Sequence, residues 1–455
     1  MKIDRAGSVA HPTAPTTVSD AIDDLNPLVE IERRVQGRAK DLAHDMAGPD
    51  GDRGLQSLIA DEIDRWSDDF KRGLRPFDLA APDEVAERAF RNLARYGPLT
   101  PLLDDRDVWE IMINSPSAIF VKRHVGPSGY HDEVFHDGEH LTRTLTKLLD
   151  DASTSHRKLD PAEGLQDAQL DDGSRLHIVH GDVSRGGHPM VNIRRFTGVA
   201  FHSLDQLVER DMLPKPVARF LADCVRADLS IVFAGAPGSG KTTLLSCCAS
   251  ELDPAKRVVI AEEVFEADVP LANVAQMQTR AARSDRPAVD LRRLVSGFLR
   301  MAPDVAIVGE VRDREALPLL LTLSSGVTGF TTIHAGSARQ ALTRLRFVCQ
   351  LSDTANDVPM AALNSLVSEA IDLVVFCRRT PSGPQVAEIA AVEDLAAGPE
   401  ATQFTVTELF GRRGRDAPLQ WTGNLPVRLG KAFDDAGLDV RSSIDDSSPG
   451  SWEEF

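Results

Sequence analysis

Apolar positions recur along this chain at two different periods. Between residues 28 and 46, Leu28, Ile31, Val35 and Leu42 are spaced as on one face of a helix. Leu55, Leu58, Ile59, Ile63 and Trp66 then put a second apolar stripe on an otherwise acidic stretch. Two helices are predicted, joined by a turn at Gly48-Pro49-Asp50-Gly51. From Pro82 to about Arg226 the texture is mixed. Pro82-Asp83-Glu84 predicts the start of an amphipathic helix ending near Tyr96-Gly97-Pro98, with acidic residues where the helix dipole favours them. Strands are predicted at 110–113, 118–122, 176–179 and 191–196, with Asp171-Asp172-Gly173-Ser174 as the turn into the third. Further on, apolar runs at 231–234, 258–260, 304–310, 331–333 and 372–377 read as buried strands. Helical periods at 217–225, 287–301, 338–351 and 361–370 lie before and between them, the alternation of a mostly parallel α/β sheet. Segments 386–392, 404–409 and 419–421 look like a small β appendage with Pro/Gly turns.

Length and composition divide this pattern into parts. A chain of 455 residues is expected to hold two or three domains. Residues 1–26, rich in Pro, Thr, Ser and Asp, read as a disordered leader, and the acidic, Ser/Asp-rich 441–455 as a disordered tail. Between them lie a helical N-terminal extension at 27–80, an α+β domain at 81–210 and an α/β domain at 211–440. The net charge of −18, from 69 acidic and 51 basic residues, disfavours direct contact with nucleic acid or anionic lipid. Cys224, Cys247, Cys248, Cys349 and Cys377 show no C-x-x-C spacing, against a zinc site or a disulfide framework. Cys247 and Cys248 read as small core-facing residues. No signal peptide opens the chain and no apolar run approaches membrane-spanning length, so a soluble cytoplasmic protein is expected.

The chemistry concentrates in 235–243. Gly235-Ala236-Pro237-Gly238-Ser239-Gly240-Lys241-Thr242-Thr243 matches the P-loop pattern G-x-x-x-x-G-K-[ST], between the run at 231–234 and an apolar helix start. Glycines let successive N–H groups face one concavity, where they and the helix N-terminus hold phosphates. Lys241 adds charge for the β- and γ-phosphates, and the Thr242 hydroxyl is placed for Mg²⁺. The run at 304–310 ends in Gly309-Glu310, the shape of a Walker B strand, with glycine where many nucleotidases carry the Mg²⁺-binding Asp. Metal binding is therefore expected from Thr242 and, through water, from Glu263 in the acidic stretch Glu262-Glu263-Val264-Phe265-Glu266. Glu310 is then left to orient or deprotonate the attacking water. His334, at the end of a strand predicted beside the Walker B strand, is a candidate γ-phosphate sensor. Arg194 and Arg195, adjacent on a strand, point to opposite faces, so at most one serves a given site.

In order, these motifs resemble the CpaF/TadA-type pilus-assembly ATPases of the type II/type IV secretion superfamily, over roughly 85–440. The resemblance rests on Tyr96-Gly97-Pro98-Leu99-Thr100-Pro101-Leu102-Leu103, Glu110-Ile111-Met112-Ile113-Asn114, Asp172-Gly173-Ser174-Arg175 and Ile193-Arg194-Arg195-Phe196. It continues with the P-loop, the acidic box, Ile307-Val308-Gly309-Glu310-Val311-Arg312 and Thr332-Ile333-His334-Ala335. It implies a C-terminal RecA-like P-loop domain with a twisted, mostly parallel sheet, after a smaller α+β domain. It also implies ATP and Mg²⁺ as ligands, the nucleotide lying between the two domains, and Arg194 or Arg195 reaching it. The partners it implies are further copies of the chain in a homohexameric ring and an inner-membrane platform protein, with a peripheral place at that membrane. ATP turnover would drive pilin assembly or export. Gly326-Val327 stands where the family's histidine box often opens with Gly-His, and Glu263 where Asp is usual. An ATPase for conjugative DNA transfer and a nucleotide-binding scaffold with little turnover are the competing readings. A GTPase is disfavoured by the lack of N-K-x-D.

Overall fold

Leu28, Ile31, Val35 and Ala39 of α1 (Pro27–Asp41) pack with Leu55, Leu58, Ile59, Ile63 and Trp66 of α2 (Gly48–Lys71) and with Ala89 of α3 (Pro82–Ala94). The two N-terminal stripes thus bury one another, as amphipathic helices must. This computed structural model describes residues 26–41, 48–123, 126–152, 158–195, 201–280, 287–351, 358–394, 403–414 and 417–440. The expected leader apart from Asn26, the expected tail, Leu42 and Phe196 lie outside the described residues. The turn expected at 48–51 is instead the first turn of α2. The first N–H groups of a helix have no partner within it, so Pro49 is tolerated there.

The chain divides into two compact units, Met1–Arg195 and Phe196–Phe455. In the first, buried polar groups fasten the helical extension to the rest of the unit. The Glu32 carboxylate accepts a hydrogen bond of 2.7 Å from Asn92 and lies 3.0 Å from His136 Nε2. The short helix α4 (Thr100–Asp104) leads into β1 (Val108–Ser115), β2 (Ala118–Arg123) and β3 (Gly129–Tyr130). After α5 (Gly138–Asp151) come β4 (Leu165–Gln169), β5 (Arg175–Val179) and β6 (Met190–Arg194). The strands form an antiparallel six-stranded sheet, β3-β2-β1-β6-β5-β4. Its alternate residues Ile111, Ile113, Leu176, Ile178 and Ile193 pack with Leu141, Leu145 and Leu148 of α5. The turn expected at 171–174 is present, with Gly173 at φ +85° joining β4 to β5.

The second unit opens with α6 (Leu204–Glu209) and α7 (Lys215–Arg226). Leu204 and Leu207 join the core beneath the P-loop helix, which moves the division of the chain upstream of residue 210. Then follow β7 (Ile231–Gly235), α8 (Lys241–Ala249), β8 (Val258–Glu262), β9 (Val274–Gln278), α9 (Leu291–Val295), β10 (Val305–Val311), α10 (Ala316–Leu323) and β11 (Thr328–Ile333). The unit continues with α11 (Ala338–Gln350), α12 (Met360–Ala370), β12 (Leu373–Thr380), β13 (Gly383–Glu393), β14 (Thr405–Gly411), β15 (Gln420–Trp421) and α13 (Val427–Asp435). Among the described residues the sheet order is β15-β14-β13-β12-β7-β11-β10-β8-β9. The strands from β12 to β9 are parallel. Ile231, Phe233, Val258, Ile260, Val305 and Ile307 face one core, and Val232, Ala234, Val259, Ala261, Ala306 and Val308 face the other. Burial on both faces is why these strands read as unbroken apolar runs.

Two expectations for this unit are corrected. The helix expected over 287–301 is the short α9 and then a 3₁₀ turn, Phe298–Met301, because at Gly297 the chain tightens to i−3 hydrogen bonds. The segments read as a β appendage extend the main sheet as β13–β15. Ile389, Leu409 and Phe410 share a core with Phe220 and Phe433, so they are not separate from it.

Candidate functional site

The buried strand β7 delivers the chain to the loop 236–240, and Gly240 at φ +85° turns it into α8. A Cβ at Gly240 would lie 2.9 Å from Met212 Cε and 3.0 Å from the Pro384 Cβ, so both conformation and space demand glycine. The first N–H groups of α8 lack partners within the helix, and these are the groups a phosphate takes. Ser239 Oγ is buried without a hydrogen-bond partner. Such an orphaned hydroxyl beside a helix N-terminus fits a site built to receive acceptor oxygens. Thr242 and Thr243, in the first turn of α8, are half-buried.

Parallel strand pairing places the other groups. β11 lies between β7 and β10, and β8 lies beyond β10. Their C-terminal ends therefore open on the side from which the P-loop leaves β7, where open α/β sheets bind ligands. Lys241 Nζ donates to Ala236 O at 3.0 Å and lies 3.3 Å from His334 Nδ1. His334 Nδ1 is also 3.1 Å from Gly235 O, and its Nε2 is 2.8 Å from Glu310 Oε1. That last approach is off-line, and Glu310 Oε1 has no well-aligned hydrogen bond. A neutral ring protonated on Nε2 accepts from Lys241 at Nδ1. A doubly protonated ring turns a donor toward Gly235 O instead and repels the lysine.

Glu310 Oε2 accepts from Arg312 Nη2 at 2.6 Å, and Arg312 Nη1 donates to Glu263 Oε2 at 2.9 Å. Lys241, His334, Glu310, Arg312 and Glu263 thus form one continuous polar chain. Burial pushes the Glu310 carboxyl up, but His334 and Arg312 outweigh it and hold the carboxyl well below the usual carboxylate range. It is ionised at neutral pH. The Glu310 carboxylate in turn raises the Arg312 guanidinium above its ordinary value, against burial.

The glycine in place of a Walker B Asp has a visible cause. The register that pairs Val308 with Ala261 carries Gly309 past Glu262, and a Cβ at Gly309 would lie 2.8 Å from Glu262 Cγ. The Glu262 carboxylate accepts from the Glu266 and Ala267 amides at 3.0 and 2.8 Å and from Gln276 at 2.8 Å. Burial raises its pKa and these hydrogen bonds oppose the rise. Glu262 thus shapes the acidic loop from inside, whereas Glu263 is exposed.

Arg194 and Arg195 belong to the first unit. Arg194 stands in register with Glu110 of β1 and Arg175 of β5. Arg195 donates to the carbonyls of Leu102 at 2.8 Å, Leu103 at 2.5 Å, Val108 at 3.3 Å and Asp105, closing the C-terminal end of α4.

Sequence reasoning gave no role to Arg312 or Arg379, and read Glu262 only as one of three carboxylates in a stretch suited to metal or water. Arg312 stood in the quoted Walker B stretch, and its signal was a cation two residues beyond the candidate catalytic carboxylate. The signal for Glu262 was the missing Asp at 309, since a large side chain had to fill the space. Arg379, at the end of the strand beside β7, donates to Gly238 O at 3.2 Å, and only the strand order shows that proximity.

Residues 92–405 match the model of the family described as "Type II/IV secretion system protein". The probable conjugal transfer protein TrbB of Sinorhizobium fredii is 30% identical over 315 residues, covering 65% of this chain and 86% of that protein. The type IV secretion system protein PtlH of Bordetella pertussis is 30% identical over 323 residues, covering 66% and 93%. Among solved structures, the VirB11 ATPase of the Brucella suis type IV secretion system, in complex with sulphate, is 24% identical. It aligns with a TM-score of 0.34 over 64% of this chain and 94% of its own. The Legionella pneumophila ATPase DotB is 16% identical, with a TM-score of 0.45 over 76% and 85%.

Proposed function

Because the chain belongs to the type II/IV secretion system protein family, we propose that it is an ATP-hydrolysing motor of a pilus-assembly or protein-secretion machine. The observation that carries this reading is the continuous polar chain from the P-loop lysine to Glu310 and Glu263. The α8 N-terminus, the unsatisfied Ser239 hydroxyl and Lys241 suit a polyphosphate. Thr242, with Glu263 through water, would hold Mg²⁺, whose charge neutralises the phosphates when bound. Glu310, ionised and aimed into the site, orients or deprotonates the attacking water. His334 links the states of Lys241 and Glu310, so loss of phosphate charge beside the lysine is felt at the carboxylate. Of the two arginines that the resemblance implied for the nucleotide, Arg195 gives its guanidinium to main-chain carbonyls of its own unit. The working form is a homohexameric ring at the inner face of the cytoplasmic membrane, held there by a platform protein; among the described residues no helix is long and apolar enough to cross it.

Glu310→Gln tests the reading. It should bind ATP and assemble normally while steady-state phosphate release falls by about 10²–10⁴, the usual contribution of a positioned base. Undiminished release removes Glu310 from the mechanism, and equal release in the Lys241→Ala variant removes the ATPase.

The similarity to TrbB favours a second reading, the motor of a conjugal transfer machine. A net charge of −18 argues against direct DNA contact by this subunit. DNA-stimulated, steeply salt-dependent turnover would reverse that judgement.

A further inference from the structure

Arg312 ties together two carboxylates that the proposed reaction needs separately. Its guanidinium forks between Glu310 at the end of β10 and Glu263 beyond the end of β8, with donor distances of 2.6 and 2.9 Å. Its backbone is fixed independently, because the Glu315 carboxylate accepts from the Arg312 and Asp313 amides at 2.5 and 2.9 Å. Glu315 is buried, whereas the Arg312 side chain is 42% exposed. The main chain is thus anchored and the side chain can turn on it. The pair it bridges carries two negative charges at the mouth of a loop that suits an anion. Without a counter-charge those carboxylates would repel a polyphosphate arriving without its metal.

We propose that Arg312 is the protein's own counter-charge for Glu263 and Glu310, standing in for the divalent cation until nucleotide and metal arrive together. It is a positioning residue, and the proposal rests on the nucleotide-binding reading above. A guanidinium suits the task, since its planar fork serves two carboxylates at once and it never loses its proton. Once a divalent cation neutralises the same region, the arginine is redundant there and its partners are released for metal binding and water activation. The energetic signature is coupling between Arg312 and the metal. Removing the arginine should weaken nucleotide binding far more without metal than with it. A merely structural role would weaken both alike.

The experiment is fluorescence titration of the full-length protein with mant-ATP, in excess Mg²⁺ and in EDTA. Arg312→Gln should lose about tenfold in affinity in EDTA and no more than about threefold in Mg²⁺, given one charge removed beside an anion in a partly screened site. Arg312→Lys, which keeps a charge but serves one carboxylate at a time, should fall between Gln and wild type in EDTA. Glu263→Gln, which leaves the arginine in excess, should bind mant-ATP more tightly than wild type in EDTA, so the proposal does not hang on one variant's folding. Equal losses in Mg²⁺ and EDTA for Arg312→Gln, or unchanged EDTA affinity in Glu263→Gln, would overturn it. Failure of the wild-type protein to bind mant-ATP under either condition would instead strike the nucleotide reading itself.

Discussion

Two arginines, each at the end of a strand, show what separates a group the fold consumes from one it leaves available. Arg195, after β6 in the first unit, gives its guanidinium to main-chain carbonyls around the end of α4. Arg312, after β10 in the second, gives its guanidinium to two carboxylates at the open end of a parallel sheet. Carbonyls cannot leave a helix end, so Arg195 is fixed and burial depresses its pKa. Carboxylates at the open end of a sheet have other cations to gain, and that is the basis of the exchange proposed for Arg312. Acceptor type thus discriminates where residue type does not. The same contrast holds for glutamates. Glu62 in the first unit is closed in by Arg38 and Arg65 at 3.0 and 2.9 Å, while Glu310 keeps one oxygen without an aligned hydrogen bond.

Stability measurements can break this comparison, and the largest effect belongs to Arg195. Arg195→Ala leaves several carbonyls unsatisfied in a half-buried place and should cost about 3–5 kcal/mol in urea unfolding of the first unit. A loss below about 1 kcal/mol would show that water replaces the guanidinium easily.

Acid should act next, through a buried histidine of the first unit. Burial first, and the charges of His136 and Arg143 after it, push the His140 pKa down to about 3. Below the ordinary histidine value the unfolded chain takes up a proton that the folded chain refuses. The contribution is therefore complete above about pH 6.5 and is lost as pH falls toward 3, the loss reaching about 3 kcal/mol at pH 4. Urea midpoints of wild type and His140→Phe, compared at pH 7 and pH 4, check the sign, and the variant should show the shallower fall.

Gly309→Ala should be milder, about 1–2 kcal/mol, because the new methyl would lie 2.8 Å from Glu262 Cγ and the glutamate must give way. Its thermal midpoint should fall, and Glu262→Ala in the same chain should relieve part of the crowding. The smallest effect is expected from Arg312→Ala, under about 1 kcal/mol in the nucleotide-free protein, since exposed ion pairs contribute little. A stability loss there as large as for Arg195 would erase the distinction.

Much of this was legible in residue order alone. The strands entering the P-loop motif, Glu310 and His334 are apolar runs buried on both faces, and their residue types and period made them readable as strands. Local composition likewise marked the helices of the extension, although Pro49 reads as a turn in sequence and sits inside a helix in space. What residue order could not show was which side chains share a neighbour. Gly309 and Glu262 are far apart in the chain, and parallel register alone puts one against the other. Arg194 and Arg195 are adjacent in sequence, and only the packing of α4 beside β6 shows that Arg195 serves main-chain carbonyls. Sequence therefore determined which residue types stand at each strand end, because that depends on residue type and local period. Tertiary structure decided which of those groups are already satisfied, because hydrogen-bond saturation is set by neighbours brought together through the sheet.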